Sequence, residues 1–131
     1  MNDYRDDIKI FVQQVLGCGC PENVFEYIDC KSNIRLNGLT LKNRINIGNK
    51  LLIYIIEINN THSLENILPF LVKNGKKERD NLKFNRLRIV ILTENVNEIE
   101  NTARGIFENI QKDEKVHLHV VDRKKYRYFK I

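Results

Sequence analysis

The sequence predicts an α/β fold: one domain over residues 1–131, with a mostly parallel sheet, right-handed βαβ crossovers, an antiparallel hairpin at one edge and two N-terminal helices. Three observations carry this. Leu51 to Ile58, Leu87 to Leu92 and Val116 to Val121 are short apolar runs of the kind found in strands buried on both faces. The stretches between them hold apolar residues at helical spacing, so strand, helix, strand, helix, strand implies parallel strands with right-handed crossovers. A chain of 131 residues that is 42% apolar suffices for one core and is short for two.

In chain order, Ile8, Phe11, Val12, Val15 and Leu16 predict a first helix, which stops at Gly17. Pro21 to about Asp29 predicts a second, burying Val24, Phe25 and Ile28, with Cys20 as its N-cap, Pro21 at the first helical position and Cys30 at its close. Leu39, Leu41, Ile45 and Ile47 alternate with polar residues, so this strand is expected at a sheet edge, folded back at Gly48-Asn49 onto a central Leu51 to Ile58 strand. Ser63 caps a helix carrying Leu64, Ile67, Leu68, Leu71 and Val72. Pro69 implies a kink there or a start near Leu68, and Asn74-Gly75 an end, after which Lys76 to Arg86 connects to the next strand. Asn95 and Glu98 form a capping box before the stripe Ile99, Ala103, Ile106, Phe107 and Ile110. Tyr126 to Ile131 is expected to return as a short antiparallel edge strand.

The acidic start Met1-Asn2-Asp3-Tyr4-Arg5-Asp6-Asp7 is unlike a secretory signal, and no apolar run reaches the roughly 18 residues of a membrane span. A cytoplasmic protein with no membrane partner is therefore expected. In such a compartment three cysteines are not a disulfide framework, and metal binding, transient thiol chemistry or packing must account for them. The net charge of +5 is concentrated in Lys73 to Arg88 and Arg123 to Ile131, where it either solvates the surface or attracts phosphates or an acidic protein.

The chemistry concentrates in Gly17-Cys18-Gly19-Cys20-Pro21-Glu22. A Cys-x-Cys pair offers two soft ligands within reach of one ion, and a helix N-terminus beside it favours thiolates. Zinc wants four ligands. His117 and His119 point to one face of a strand, so Cys18, Cys20, His117 and His119 make a Cys₂His₂ set if the fold brings strand and loop together; otherwise the histidines are a solvent-facing pair. Cys30, roughly 15 Å along the expected helix from Cys20, reads as a small core residue, so one chain alone has too few cysteines for an iron–sulfur cluster, which would have to be shared between subunits. Without metal, the pair is suited to thiol redox chemistry, because a Cys-x-Cys disulfide closes a small, easily reduced ring. The motif is not the Cys-x-x-Cys of thioredoxin-like proteins.

No glycine-rich loop joins a strand to a helix, which excludes the usual phosphate cradles. Glu57, Glu94 and Asp122 fall near the C-terminal strand ends, where α/β crevices lie, but no nucleophile–base pair accompanies them. A second functional reading is a nucleic-acid-binding or acidic-partner-binding surface at Arg123, Lys124, Lys125, Tyr126, Arg127, Tyr128 and Lys130, with cations for phosphates and rings for bases. The sequence leaves assembly into a homo-oligomer open.

The run Gly17 to Phe25, with Gly75-Lys76-Lys77-Glu78-Arg79-Asp80 and Phe84-Asn85-Arg86, resembles a family of small uncharacterised microbial proteins with a Cys-Gly-Cys-Pro-Glu signature. That resemblance implies no established activity and assigns no functional residue.

Overall fold

The computed structural model of the chain describes residues 4–110 and 113–126. Five strands, β1 (Ile28–Leu36), β2 (Leu39–Ile47), β3 (Leu51–Glu57), β4 (Arg86–Thr93) and β5 (Val116–Asp122), form one sheet in the order β1-β2-β3-β4-β5. The β1/β2 and β2/β3 pairs are antiparallel and the β3/β4 and β4/β5 pairs parallel. The α/β class therefore stands, but the sheet is mixed, not mostly parallel. The difference is β1. Its residues Ile28, Cys30, Ile34 and Leu36 alternate like a strand, but Val24, Phe25 and Ile28 also match a helical stripe, and the helical reading swallowed the strand's start. Pairing with β1 moves β2 inside the sheet and makes β1 the edge.

Both faces of β3 are covered, which is why its run is apolar throughout. Leu51, Ile53 and Ile55 belong to one core cluster, while Leu52, Tyr54 and Ile56 belong to the other. The second cluster lies under α2 (Leu64–Leu82) and α3 (Val96–Ile110), the helices connecting β3 to β4 and β4 to β5. Helix α2 passes through Pro69 and does not end at Gly75. A Cβ at Gly75 would stand 2.6 Å from Leu87 Cδ2 and 3.2 Å from the Tyr54 ring, so this glycine permits close helix–sheet approach; it is not a stop signal. The helix ends instead at Lys83, whose left-handed φ of 62° brings the Phe84 N–H to the Arg79 carbonyl at 2.9 Å.

The first cluster is covered by the N-terminal segment. Helix α1 (Tyr4–Ile10) runs into a π-helical turn, Phe11–Val15, and a 3₁₀ turn follows at Glu22–Glu26. The expected pair of N-terminal helices is thus one α-helix with a wider last turn and a single 3₁₀ turn. Pro21 is extended and flanks the 3₁₀ turn, so Cys20 is not a helix N-cap, and the expected dipole effect on its thiol has no helix behind it. Ile8, Phe11, Val12 and Leu16 pack on the sheet, and Arg5 ties the segment together by donating to the Glu26 carbonyl at 2.7 Å. After β5 the chain turns through a 3₁₀ segment, Arg123–Lys125, so Tyr126 does not open an edge strand. The rest of that expected strand, including Arg127, Tyr128 and Lys130, lies outside the described residues. No helix among the described residues is long and apolar enough to cross a membrane.

Candidate functional site

Gly17, at φ +73°, reverses the chain out of the π-helical turn, and the Cys18 N–H then donates to the Val12 carbonyl at 3.1 Å. This holds Cys18 against the core, 9% exposed, while Cys20 is half-buried. The two are joined by a disulfide, with their Cα atoms 5.4 Å apart. Gly19 between them is exposed and faces open space. Cys30 stands apart in β1 as a free, buried thiol. Burial pushes it up to about 11, against an opposing hydrogen bond from Asn43, so it behaves as the small core residue expected from the sequence.

The disulfide forms one wall of a cleft of about 490 Å³. Pro21, Val24, Ile47 and Leu51 give it an aliphatic floor, and the opposite wall is Lys50, Asn85, Arg86, Arg88 and His117. Two hydrogen bonds set that wall: the Lys50 carbonyl accepts from Asn85 N–H at 2.7 Å and from Arg86 N–H at 3.1 Å. They fasten the Gly48-Asn49-Lys50 turn to the start of β4. At its other side, Gly48 donates to the Tyr27 carbonyl at 2.7 Å, and a Cβ there would lie 2.6 Å from the Val24 carbonyl oxygen. The cleft therefore opens at the N-terminal ends of the parallel strands.

Among the described residues no acidic side chain lines it. Lys50, Arg86 and Arg88 take part in no ion pair among the described residues, and Arg88 Nε is buried without a hydrogen-bond partner. Burial, and then the charge of Arg86, lowers the Arg88 guanidinium from its ordinary value. Arg86 Nη1 lies 3.1 Å from His117 Nε2, and Arg88 Nη1 2.9 Å from His119 Nε2. A guanidinium only donates, so both Nε2 atoms accept and the ring protons sit on Nδ1. Both histidines are thereby kept neutral. Burial and then the Arg88 charge lower each, His119 to about 4.

The structure brings His117 to the same cleft as Cys18 and Cys20, whereas His119 does not line it. Among the described residues no three His, Cys, Asp or Glu side chains converge as metal ligands. In this oxidised state the cysteine sulfurs are bonded to each other and both Nε2 atoms are occupied by arginines, so the expected Cys₂His₂ set is not assembled. The basic residues after β5 are placed differently. Arg123 is ion-paired with Glu57 at 3.3 Å and Glu94 at 2.6 Å. Lys124 and Lys125 are exposed. Tyr126 is half-buried, packs edge-on against Phe11 with ring centroids 6.0 Å apart, and hydrogen-bonds Asn43.

Sequence reasoning missed Lys50, Arg86 and Arg88 as site residues. The signal was the shared period in Arg86-Leu87-Arg88 and His117-Leu118-His119, but only strand register (Arg88 opposite His117) makes it one surface. Against family models, curated proteins and solved structures the chain shows no match, so the likeness to Cys-Gly-Cys-Pro-Glu proteins rests on those residues alone.

Proposed function

We propose that the protein carries out thiol–disulfide exchange through Cys18 and Cys20. The observation that supports this most is the disulfide's position: it borders an open cleft whose charged groups, among the described residues, are all cations. Cations near a sulfur favour the thiolate, which is both the attacking and the leaving form in exchange. Cys20, the more exposed, is the sulfur that a partner thiolate attacks, and Cys18 leaves as thiolate toward the protein side. A second partner thiolate then attacks the partner's sulfur in the mixed disulfide and expels Cys20 as a thiolate, so two partner thiols become one disulfide and the protein is left as the dithiol, which takes up their two protons. In reverse, the dithiol reduces a disulfide.

A structural role is the weaker account of the bond. Closing a ring of cysteines two positions apart restricts the unfolded chain by only about 1.6 kcal/mol in the loop-entropy treatment. The test is equilibration of the purified protein with defined thiol–disulfide buffers, followed by quantification of free thiols in the native state. Reversible appearance of two thiols, abolished in Cys18→Ser with Cys20→Ser, is expected. Failure of the native disulfide to reduce or re-form would overturn the reading, and stoichiometric zinc uptake by the reduced protein, lost in the same variant, would replace it with a metal-binding one.

A further inference from the structure

The geometry points to a substrate class for this exchange: we infer that the cleft selects small thiols and disulfides bearing carboxylate or comparable anionic groups, which Arg86, Arg88 and Lys50 hold while the sulfur lies at Cys20. The inference rests on the redox reading above. A cleft of about 490 Å³ has the size of a small-molecule site. Its floor of Val24, Ile47 and Leu51 suits an aliphatic stem. Its charge is unbalanced, because among the described residues Arg86, Arg88 and Lys50 have no acidic neighbour in the lining and His117 and His119 give the guanidiniums neutral acceptors only. Partly buried cations without counter-charge are costly. A ligand carboxylate supplies what is missing, and a guanidinium fork matches its two oxygens.

In the reducing direction the Cys20 thiolate attacks one sulfur of the ligand disulfide and expels one thiolate. Cys18 then attacks the mixed disulfide and expels the second, so the protein dithiol becomes the Cys18–Cys20 disulfide as one ligand disulfide becomes two thiols. The two protons of the dithiol end on the two released thiolates.

A matched charge series tests this. Dithiodipropionate, hydroxyethyl disulfide and cystamine share a two-carbon arm and carry two negative, no and two positive charges at neutral pH. Each is reacted with the pre-reduced protein, and each rate is divided by that of the same disulfide with free dithiothreitol, which removes intrinsic reactivity. The dianion is expected to react at least about tenfold faster than the neutral compound on this scale and the dication slower still, with the preference shrinking as salt rises. In Arg86→Gln with Arg88→Gln the anion-to-neutral ratio should fall toward one. The ratio is read within one variant, so any change in thiolate population cancels. Lys50→Gln, at an exposed position, gives a second variant, in which the ratio should fall part of the way. A flat series in the wild-type protein overturns the substrate inference and leaves exchange standing. No reaction with any of the three, the neutral one included, overturns the redox reading itself.

Discussion

Protonation of His119 is the perturbation whose cost can be worked most directly from the structure. Its Nε2 accepts a hydrogen bond from Arg88 Nη1 at 2.9 Å, and a proton placed there turns that contact into two donors facing each other. The new charge is also repelled by Arg88, His117 and Arg104. Burial is the largest cause, the Arg88 charge is next, and together they bring the imidazole from 6.5 to about 4. An unfolded chain takes the proton near 6.5. Between these limits the unfolded state binds more protons than the folded one, so stability must rise with pH across that window and fall as the solution is acidified. Each pH unit is worth at most about 1.4 kcal/mol, and the whole span about 3 kcal/mol.

The assay is urea unfolding at intervals from pH 7.5 to 4.5 for the wild-type protein and His119→Gln, whose side-chain oxygen can accept from Arg88 but does not titrate. Wild-type stability should decline below pH 6.5, and the variant's decline should be clearly shallower, with the remainder carried by His117, which is lowered for related reasons. Nuclear magnetic resonance of the imidazole carbons gives the pKa independently. A His119 resonance titrating near 6.5, or identical pH slopes in the two proteins, would refute the placement of a neutral His119 against Arg88.

Three further outcomes follow from the packing. Gly75→Ala puts a methyl 2.6 Å from Leu87 Cδ2 and should cost about 1–3 kcal/mol in urea unfolding, although alanine is the better helix former. Arg79→Met removes the buried partner of Asp113, 2.7 Å away, and should cost about 1.5–3 kcal/mol. Because Arg79 holds the Asp113 carboxyl below its ordinary 3.8, this pair's contribution is present above about pH 4 and fades as pH falls through the folded value. The variant should therefore lose the acid-sensitive limb below pH 4, a window separate from that of His119. Cys30, buried and pushed up to about 11, should resist iodoacetamide at pH 8 in the native protein and react only on unfolding, as mass spectrometry of labelled peptides would show.

The parts of the fold legible in the sequence are those where one covering layer on each face imposes an unbroken apolar run. The starts and ends of β3, β4 and β5 match their runs to within a residue or so. The N-terminal third was less legible. Ile28 serves both as the end of a plausible helical stripe and as the first residue of β1, and only pairing with β2 decides between them. Gly75 looked like punctuation because glycine's use in close packing depends on Tyr54 and Leu87, remote in sequence. At the site, the cysteine pair and His117 could be read directly. The cations could not, since Lys50 comes from a hairpin turn and Arg86 and Arg88 from the next parallel strand.

The position of the cleft also has a physical cause. In parallel α/β sheets a crevice forms beyond the C-terminal strand ends where the strand order reverses. Here the order runs without reversal, and much of that end is tied together: Glu57 and Glu94 are bridged by Arg123, while the Asn59 side chain accepts from Thr93 at 3.2 Å and from the Glu94 N–H at 2.9 Å, leaving smaller cavities beside Asp122. The opposite end is open because the N-terminal segment stops short of it. Positions of β4 on the covered face change from Arg86 and Arg88 to Val90 and Leu92, and those of β5 from His117 and His119 to Val121. The apolar members join the core under the segment, and the polar ones lie beyond it. That change along two neighbouring strands marks the edge of the cover, and Cys18-Gly19-Cys20 is the piece of chain lying at that edge. A disulfide there is held by the core on the Cys18 side and faces the cations on the other, an arrangement that packing alone does not require.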